Sequence, residues 1–410
     1  MIFKREFMKN YLFKIIPVSM AICISTQATA VGLRLPNQDP VAIARGNAFV
    51  ATADNPSAIY HNPAGITQLK GKQLSIGAYF ISADVSYESP SGAKGQTDTS
   101  IQAVPQIHYV YSPENSAFSF GLGLYVPFGL GIDYGQSSPF PTLAKEGVLS
   151  YISVNPVVAY EITDSLSIAA GFTFNYSTVE LTQELGLVPD DEFSYEGDAV
   201  TLGYNLGLRW DINQQFSFGA SYRSKTDIDY EGRSRATSNA VLQNYVDTSL
   251  SITSPQHLDV GLAYRPNQEW LFETNVDWTD WSVLDATAFE GTLLGDIPFL
   301  FNYSASLMYE FGVTKHLGNG LDISAGYIFS ENSAPDQNFT PYNPDSDLHL
   351  GSFGVSKQTD SGIWSVGYHF GYNGGRDVVN NQAGSLLGEV ADGHYETLNH
   401  AINISFQKSF

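Results

Sequence analysis

The sequence predicts an all-β fold, a transmembrane antiparallel β-barrel of about 14 strands, and three observations support this prediction. The chain opens with a segment typical of exported proteins. It has 13% aromatic residues and 37 glycines, but only 15% charged residues, against about 25% in an average soluble protein. After the leader, segments of about ten residues alternate apolar and polar side chains, and no apolar run approaches the roughly 18 residues of a transmembrane helix.

Residues 1–30 are predicted to be a signal peptide. Basic residues precede a short apolar run at 15–24, and Ala28-Thr29-Ala30 has the small residues of a cleavage site. The apolar run is too short to cross a bilayer as a helix. The single cysteine, Cys23, lies in this leader. The mature chain, predicted to begin at Val31, therefore has no disulfide and no thiol chemistry.

The charge balance excludes one class of partner. The leader contains four of the 20 basic residues and one of the 42 acidic residues, which leaves 16 basic and 41 acidic residues and a formal charge of −25. Proteins that bind nucleic acids need a positive surface, so we expect no nucleic-acid partner.

The alternating segments predict the strands of the barrel. They number fourteen, and they cover residues 73–87, 101–112, 117–128, 147–162, 166–181, 198–211, 216–230, 254–265, 269–281, 300–315, 320–330, 348–357, 362–373 and 395–410.

The connections between these segments alternate in length. Short ones such as "ITDS" and "DINQQ" are rich in turn-forming residues, and each is followed by a connection of about ten to 25 residues. This alternation is typical of barrels with tight periplasmic turns and long extracellular loops. An even strand count places both ends of the barrel on the periplasmic side. The last strand carries Ile402, Ile404, Phe406 and Phe410 on one face, which we expect to contact lipid.

Residues 31–70 precede the first strand and are predicted to form a hatch folded inside the barrel. They are rich in turns, contain two Asn-Pro steps and are too polar for lipid. A barrel of about fourteen strands has room for an internal segment. The predicted organisation is thus a signal peptide (1–30), an N-terminal hatch (31–70) and a transmembrane barrel (71–410).

The stretch "RGNAFVATADNPSAIYHNPAGITQL" resembles the N-terminal hatch of the FadL/TodX family of outer-membrane transporters. Later blocks resemble that family in order, including "VPQIHYVYSPENSAFSFGLGLYVPFGLGIDYG" at 104–135 and "DSDLHLGSFGVSK" at 345–357. The resemblance spans the mature chain. It implies a fourteen-stranded barrel with a hatch, located in the bacterial outer membrane.

The resemblance also implies a function, passive uptake of long-chain fatty acids or aromatic hydrocarbons. The ligand would be captured by the outer loops and released sideways at a kink in the third strand. Our candidates for this lateral opening are Pro105, Gly121 and Gly123, because proline lacks a ladder donor and glycine permits a bend. For the gating part of the hatch we predict Asn62, Pro63, Ala64 and Gly65. Leu33 matches the family's apolar third residue, which enters the ligand pocket.

The residues that would hold a fatty-acid carboxylate depart from the family's pattern. The family's fatty-acid carriers use basic lumen residues, but the fifth strand has Thr178 and Glu180 in that region. The alternation of the seventh strand predicts that Arg223 and Lys225 point into the lumen, where they could bind a carboxylate or pair with neighbouring aspartates. Long-chain fatty acids are the predicted substrate, with aromatic hydrocarbons as the alternative.

Other functions are also compatible with a barrel. A general diffusion porin would lack the hatch, and a structural barrel has no need of one. An outer-membrane hydrolase needs a nucleophile beside a histidine, but His108 and His369 fall on different strands, and no Gly-x-Ser-x-Gly motif is present. We therefore expect no enzyme activity, no metal and no cofactor. The expected partners are a hydrophobic ligand, membrane lipid and lipopolysaccharide, with the protein as a monomer.

Overall fold

The computed structural model describes residues 33–135, 138–188, 191–238, 244–382 and 389–410. Its strands form a single antiparallel sheet. They are β1 (Gly71–Glu88), β2 (Lys94–Gln96), β3 (Gln102–Ser112), β4 (Phe118–Asp133), β5 (Glu146–Thr163), β6 (Leu166–Gln183), β7 (Glu192–Asp211), β8 (Phe216–Arg223), β9 (Thr226–Thr237), β10 (Val246–Ser254), β11 (His257–Tyr264), β12 (Trp270–Thr279), β13 (Ala286–Glu290), β14 (Ile297–Leu300), β15 (Ser306–His316), β16 (Leu321–Ser330), β17 (Leu348–Thr359), β18 (Gly362–Tyr372), β19 (Arg376–Val378) and β20 (Gly393–Ser409).

The sheet closes on itself. β1 pairs with β3 on one side and with β20 on the other, from Gln73 with Ser409 to Glu88 with His394. Closure leaves no sheet edge facing lipid, which is the condition for a sheet to cross a membrane. Within the described residues, β8 with β9 and β10 with β11 each make one interrupted crossing, and β2, β13, β14 and β19 belong to loops. The wall therefore has fourteen strands, and the predicted barrel is confirmed.

The two interrupted crossings lie side by side. β8 ends at Arg223 and β9 begins at Thr226, and both of these side chains are buried. An extra residue is therefore inserted between them, as in a β-bulge, and reverses the alternation beyond it. The neighbouring strand is interrupted at the same level, between Ser254 and His257. The predicted uninterrupted strands at 216–230 and 254–265 are corrected accordingly.

Inward and outward positions differ in chemistry throughout the wall. In β12, the inward Glu273, Asn275 and Asp277 are buried, whereas the outward Phe272 and Val276 are 43% and 41% exposed. The polar face is turned to the lumen and the apolar face to the outside, which is the pattern of a barrel in lipid. Short turns join strands at one rim, and long connections such as 331–347 join them at the other. We call these the short-turn rim and the long-loop rim.

Residues 34–69 lie inside the barrel and are almost entirely buried. They form α1 (Pro40–Ala44), α2 (Ala58–His61) and a 3-10 helix (Pro63–Gln68). Helix α1 contacts β16, β17, β18 and β20, and the 3-10 helix contacts β3 to β7, on another part of the wall. Two further 3-10 turns, Trp281–Val283 and Asp336–Asn338, lie in the loops of the long-loop rim. In the described residues, no helix has the length and apolar character needed to cross a membrane.

The internal segment has less helix than its sequence suggests. Good helix formers occur from Val41 to Ala53, but helix α1 ends at Ala44. Gly46 and Asn47 then adopt left-handed backbone angles, with φ of 59° and 57°, which an α-helix cannot include. The close approach to the wall explains the turn, because a Cβ on Gly326 of β16 would lie 2.0 Å from the backbone nitrogen of Gly46.

This contact predicts the effect of an alanine at two neighbouring glycines. We expect Gly326→Ala to lower the free energy of unfolding by about 1–3 kcal/mol, because the new methyl group overlaps the backbone of the internal segment. Gly351→Ala, on the adjacent strand, is the control, since nothing lies within 4 Å of its added Cβ. Urea unfolding of the refolded barrel measures both variants. Equal unfolding free energies for the two would contradict the tight contact.

Candidate functional site

An apolar pocket lies between the wall and the connections of the long-loop rim. The wall supplies Leu149, Val179, Leu181 and Leu250, and the segment 284–303 supplies most of the aromatic side chains. Leu33, at the start of the described chain, is one of the lining residues. The structure thus places the predicted ligand-pocket residue Leu33 against a pocket, although its contact with a ligand stays a prediction.

The pocket suits an apolar molecule. Its volume is about 110 Å³, and among its lining residues the only charged one is Glu180. The adjoining cluster of buried side chains includes Tyr151, Phe289 and Tyr303. Transfer of apolar surface from water into such surroundings is favourable.

Part of this cluster depends on a tightly held loop. Backbone N–H groups of residues 185–188 donate four hydrogen bonds of 2.6–3.1 Å to the Asp191 carboxylate. Burial alone would raise the pKa of Asp191, but these donors outweigh it and lower the pKa below its usual value. The held loop places Leu185, which is 2% exposed, in the cluster beside the pocket.

The wall has a break between β3 and β4. Within the described residues, these strands pair only from Ile107 with Leu124 to Tyr111 with Phe120, so residues 102–106 and 125–133 do not pair with each other. In its pairing with β5, strand β4 has one extra residue between Tyr125 and Phe128. Toward the long-loop rim, the break ends where the Asp98 N–H donates to the Asp133 carbonyl at 2.8 Å. We call this bounded gap the window.

Residues 33–35 cover the inner side of the window. The Leu35 N–H donates to the Pro127 carbonyl at 2.8 Å, and the Gly129 N–H donates to the Leu33 carbonyl at 2.9 Å. Arg34 is the antiparallel partner of Phe128 between these two bonds. The segment therefore acts as a short extra strand on the free edge of β4, between the pocket and the window.

Arg34 ties this short strand to the opposite wall. Its guanidinium binds the two carboxylate oxygens of Asp277 at 2.8 and 2.6 Å and donates to the Thr279 hydroxyl at 2.8 Å. The Arg34 and Asp277 side chains are 5% and 2% exposed. Two parallel bonds of this kind fix the geometry as well as the distance.

Further polar contacts hold the middle of the internal segment. The Glu273 carboxylate accepts from the Ala51 and Thr52 N–H groups and from the Thr52 hydroxyl, at 2.7–3.2 Å. Arg209 donates to the carbonyls of the same two residues and pairs with Asp211. Because these contacts come from different strands, they oppose a rigid-body movement of the segment.

The predicted gating residues Asn62 to Gly65 reach from β7 toward one end of the window. Ala64 shares a buried cluster with Tyr125 of β4. Asn62 donates to the carbonyls of Val50 and Leu208 at 2.7 and 2.9 Å, and its side-chain oxygen accepts from the Ala64 N–H. Leu208 belongs to β7, three strands beyond β4. Pro63 begins the 3-10 helix, and Gly65 fits because a Cβ there would be 2.3 Å from the Ala53 carbonyl oxygen. Their role in gating stays a prediction.

The three residues predicted at the lateral opening lie near the end of the window that is closer to the short-turn rim. Pro105 is inside the window, and the two glycines are in the paired region next to it. Pro105 lies on the stretch of β3 that does not pair with β4, where it has no N–H to leave unsatisfied. Gly121 and Gly123 instead pair regularly with Val110 and His108. A Cβ on either glycine would be within 2.9 Å of Ile59, so they make room for the internal segment. The bend itself lies further along, at Tyr125–Phe128.

The structure separates Arg223 from Lys225. Arg223 points into the lumen and is buried, as predicted, whereas Lys225 is exposed on the outer side. The bulge between β8 and β9 causes the difference, and the predicted inward position of Lys225 is wrong. Arg223 donates to the Tyr125 hydroxyl at 2.8 Å and the Tyr60 carbonyl at 3.2 Å, and its guanidinium lies over both tyrosine rings. It forms no ion pair with a carboxylate in the described part of the chain.

Sequence reasoning missed the buried charges that hold the internal segment. A signal for them was present, because "FETNVDWT" alternates Glu273, Asn275 and Asp277 with outward residues. Arg34 gave no such signal, since a single residue before a turn-rich segment has no periodicity. Across the described residues, no group of three histidine, cysteine or carboxylate side chains is arranged to hold a metal ion.

Comparisons with known proteins agree on one family. A sequence profile described as outer membrane protein transport protein (OMPP1/FadL/TodX) matches residues 21–410. The chain is 24% identical to outer membrane protein P1 of Haemophilus influenzae over 87% of this chain and 88% of that protein. It is 23% identical to the long-chain fatty acid transport protein of Escherichia coli K12 over 81% and 85%.

Solved structures share the fold. A FadL homologue of Pseudomonas aeruginosa superimposes with a TM-score of 0.81 at 16% identity, covering 92% of this chain and all of that one. The toluene transporter TodX of Pseudomonas putida gives a TM-score of 0.71 at 20% identity, covering 90% and 98%.

The cross-lumen ion pair predicts strong coupling between its partners. We expect Arg34→Met and Asp277→Leu each to lower the unfolding free energy by about 3–5 kcal/mol, because each leaves a buried charge without its partner. The double variant should cost clearly less than the two single variants together, since it removes both charges. Urea unfolding of the four proteins completes the cycle. Additive losses would mean that the two side chains do not interact.

Proposed function

This chain belongs to the outer membrane protein transport family OMPP1/FadL/TodX and is a transport channel for hydrophobic compounds rather than an enzyme, and we propose that it carries long-chain fatty acids and releases them sideways through the window. The observation that carries the proposal is the order of three features in space. The apolar pocket contains Leu33, residues 33–35 continue from it, and the window lies behind them. A ligand leaving the pocket past this short strand reaches the break in the wall.

Sideways release suits an apolar ligand. The buried side chains beside the window include Leu35, Val104 and Val126, so apolar side chains line part of the path from the pocket to the wall. Beyond the window the ligand would enter hydrocarbon directly, without a return to water. A route straight through the lumen would instead have to cross the buried polar contacts of Glu273, Arg209 and Asn62.

Residues 31–70 act in this proposal as a hatch that closes the lumen. Support comes from the anchors on several strands and from the near-complete burial of residues 34–69. The movable part would be limited to residues 33–35, which hold β4 by two backbone hydrogen bonds and the opposite wall by Arg34. Asn62 to Gly65 would keep the hatch in place against β7.

Arg223 is our candidate for the residue that binds the fatty-acid carboxylate. Thr226, the next inward residue, hydrogen-bonds with Tyr151 at 3.0 Å, and Tyr151 packs in the cluster beside the pocket. Arg223 is thus the next inward residue from that cluster toward the short-turn rim. A buried guanidinium without a carboxylate partner is energetically costly, and a carboxylate from the ligand would relieve this cost through charge-assisted hydrogen bonds.

One observation favours aromatic hydrocarbons as the second candidate. The pocket volume of about 110 Å³ is close to that of cavities of about 150 Å³ that bind benzene. Its one charged lining residue, Glu180, would repel a carboxylate that stayed in the pocket. Hydrocarbon uptake needs only the pocket and the window, whereas fatty-acid uptake also needs Arg223.

A disulfide across the short strand tests sideways release. Arg34 and Phe128 form a pair flanked by hydrogen bonds of their neighbours, a geometry in which the Cα atoms lie about 4.5 Å apart, suitable for a disulfide. We expect Arg34→Cys/Phe128→Cys to transport labelled oleate only after reduction, because oxidation fixes residues 33–35 over the window. The measurement is uptake by cells that lack their own transporter, and Arg34→Ser/Phe128→Ser is the control. Equal uptake by the oxidised and reduced barrels would rule out this route.

The neighbouring residues Arg223 and Lys225 offer a matched test of the substrate. We expect Arg223→Met to weaken oleate binding by about tenfold or more, because a charge-assisted hydrogen bond contributes about 1.5–3 kcal/mol, and to leave toluene uptake unchanged. Lys225→Met should alter neither, since its side chain is exposed outside the lumen. Oleate binding and toluene uptake by purified and cellular protein give the two readouts. Unchanged oleate binding by Arg223→Met would favour the hydrocarbon.

A further inference from the structure

A row of outward side chains crosses the wall from β16 to β1. The strand register places Tyr327 beside Gly351, Gly351 beside Phe370, and Phe370 beside His400. Ser82 of β1 follows His400. Tyr327 and Phe370 are 41% and 40% exposed. Adjacent strands are about 4.8 Å apart, so this row extends about 19 Å across the outer surface.

Gly351 makes a notch in the middle of this row. A Cβ added there would meet nothing within 4 Å. Two residues further along the same strand, Phe353 forms one end of the notch and is 59% exposed, and His349 lies at the other end. The result is a notch with aromatic side chains on its sides.

Two tyrosine–histidine pairs flank the notch with the same geometry. The Tyr327 hydroxyl lies 2.6 Å from Nδ1 of His349, and the Tyr368 hydroxyl lies 2.7 Å from Nδ1 of His400. In both pairs the tyrosine is one strand away and diagonal to its histidine. Phe329 and Phe370 pack on the two imidazoles at 5.0 and 5.1 Å. Both rings are thus held in place, with Nε2 left for a partner outside the described chain.

The position of the notch indicates what it contacts. His349 lies at the start of β17, directly after a long connection, so the notch belongs to the long-loop rim, which is extracellular in such barrels. Below it, outward residues such as Phe353 and Val355 are apolar and exposed. Beyond it lie the carboxylates of Asp84, Asp347 and Glu396. The notch therefore lies where hydrocarbon gives way to headgroups.

We propose that this surface, His349, Gly351, Phe370, His400 and their two tyrosines, docks lipopolysaccharide of the outer leaflet through its acylated sugar headgroup. Aromatic rings at a membrane interface offer an apolar face together with polar groups. Imidazole nitrogens and carboxylates can exchange hydrogen bonds with sugar hydroxyls, and no lysine or arginine occupies the row. An acyl chain would lie over Gly351 and Phe353. The inference rests on the outer-membrane location and not on the transport route.

The test fills the notch in one variant and removes the two tyrosine–histidine hydrogen bonds in another. We expect Gly351→Phe, and separately His349→Phe/His400→Phe, to weaken binding of fluorescent rough lipopolysaccharide to the delipidated barrel by about fivefold, the effect of losing about 1 kcal/mol of contacts. The Kd is measured by fluorescence anisotropy in detergent, with unlabelled lipopolysaccharide or phosphatidylethanolamine as competitor. Only the former should compete.

Two controls keep the test specific. His316→Phe changes an exposed histidine at the short-turn rim, and Ala170→Phe fills an outward apolar groove near that rim. Both should bind lipopolysaccharide like the unmodified protein. Equal affinity in all variants, or equal competition by the phospholipid, would overturn the proposal and leave the row as an ordinary interfacial belt. Toluene and oleate uptake is scored separately, so failure of the transport proposal would be recognised on its own.

Discussion

The structure depends on one constraint, that each backbone N–H and C=O group within a bilayer needs a hydrogen-bond partner. Pairing of β1 with β20 meets this constraint by closing the sheet. The window is a stretch of the described wall where two consecutive barrel strands, β3 and β4, give up their pairing. It is tolerable because Pro105 and Pro127, one on each side, have no N–H group to satisfy. Residues 33–35 then supply partners to the free edge of β4 from within.

The alternation of side chains that turns apolar residues toward the lipid also turns polar residues toward the lumen, where they contact residues 34–69. Every second wall residue faces the lumen, and many of these side chains are polar and buried against residues 34–69. Glu273, Asp277 and Arg209 bind a segment distant in sequence, and inward glycines such as Gly326 let its backbone approach the strands. The wall and the segment are therefore one packed unit. The buried charged side chains keep their ion-pair partners only while the wall and the segment both remain in place.

The parts of the structure that sequence could predict are those that repeat. Fourteen segments with a period of two, joined alternately by short and long connections, led to the correct barrel. A bulge is a single inserted residue and leaves no periodic signal, so Arg223 and Lys225 looked equivalent. The bend in β4 was expected at Gly121 and Gly123. Those glycines instead leave room for the side chain of Ile59, which is distant in sequence. Contacts of this kind depend on the folded lumen and cannot be read from local pattern.

The buried arginines of the lumen differ in how their charge is balanced. Arg34 and Arg209 form ion pairs with Asp277 and Asp211, and Arg45 reaches Glu273 through the shared hydroxyl of Thr52. Arg223 has instead two tyrosine rings and two neutral oxygen acceptors.

Cation–π contacts contribute about 0.5–2 kcal/mol each, which offsets only part of the several kcal/mol that burial of an ion costs. Arg34 and Arg209 have little to gain from a ligand, because a carboxylate already pairs with each of them. Arg45 lies near the Glu273 carboxylate, to which the Thr52 hydroxyl connects it. At Arg223 the compensation is incomplete, so an anionic ligand would gain free energy there that a hydrocarbon could not. This difference within one lumen is the physical basis for preferring a fatty acid as the substrate.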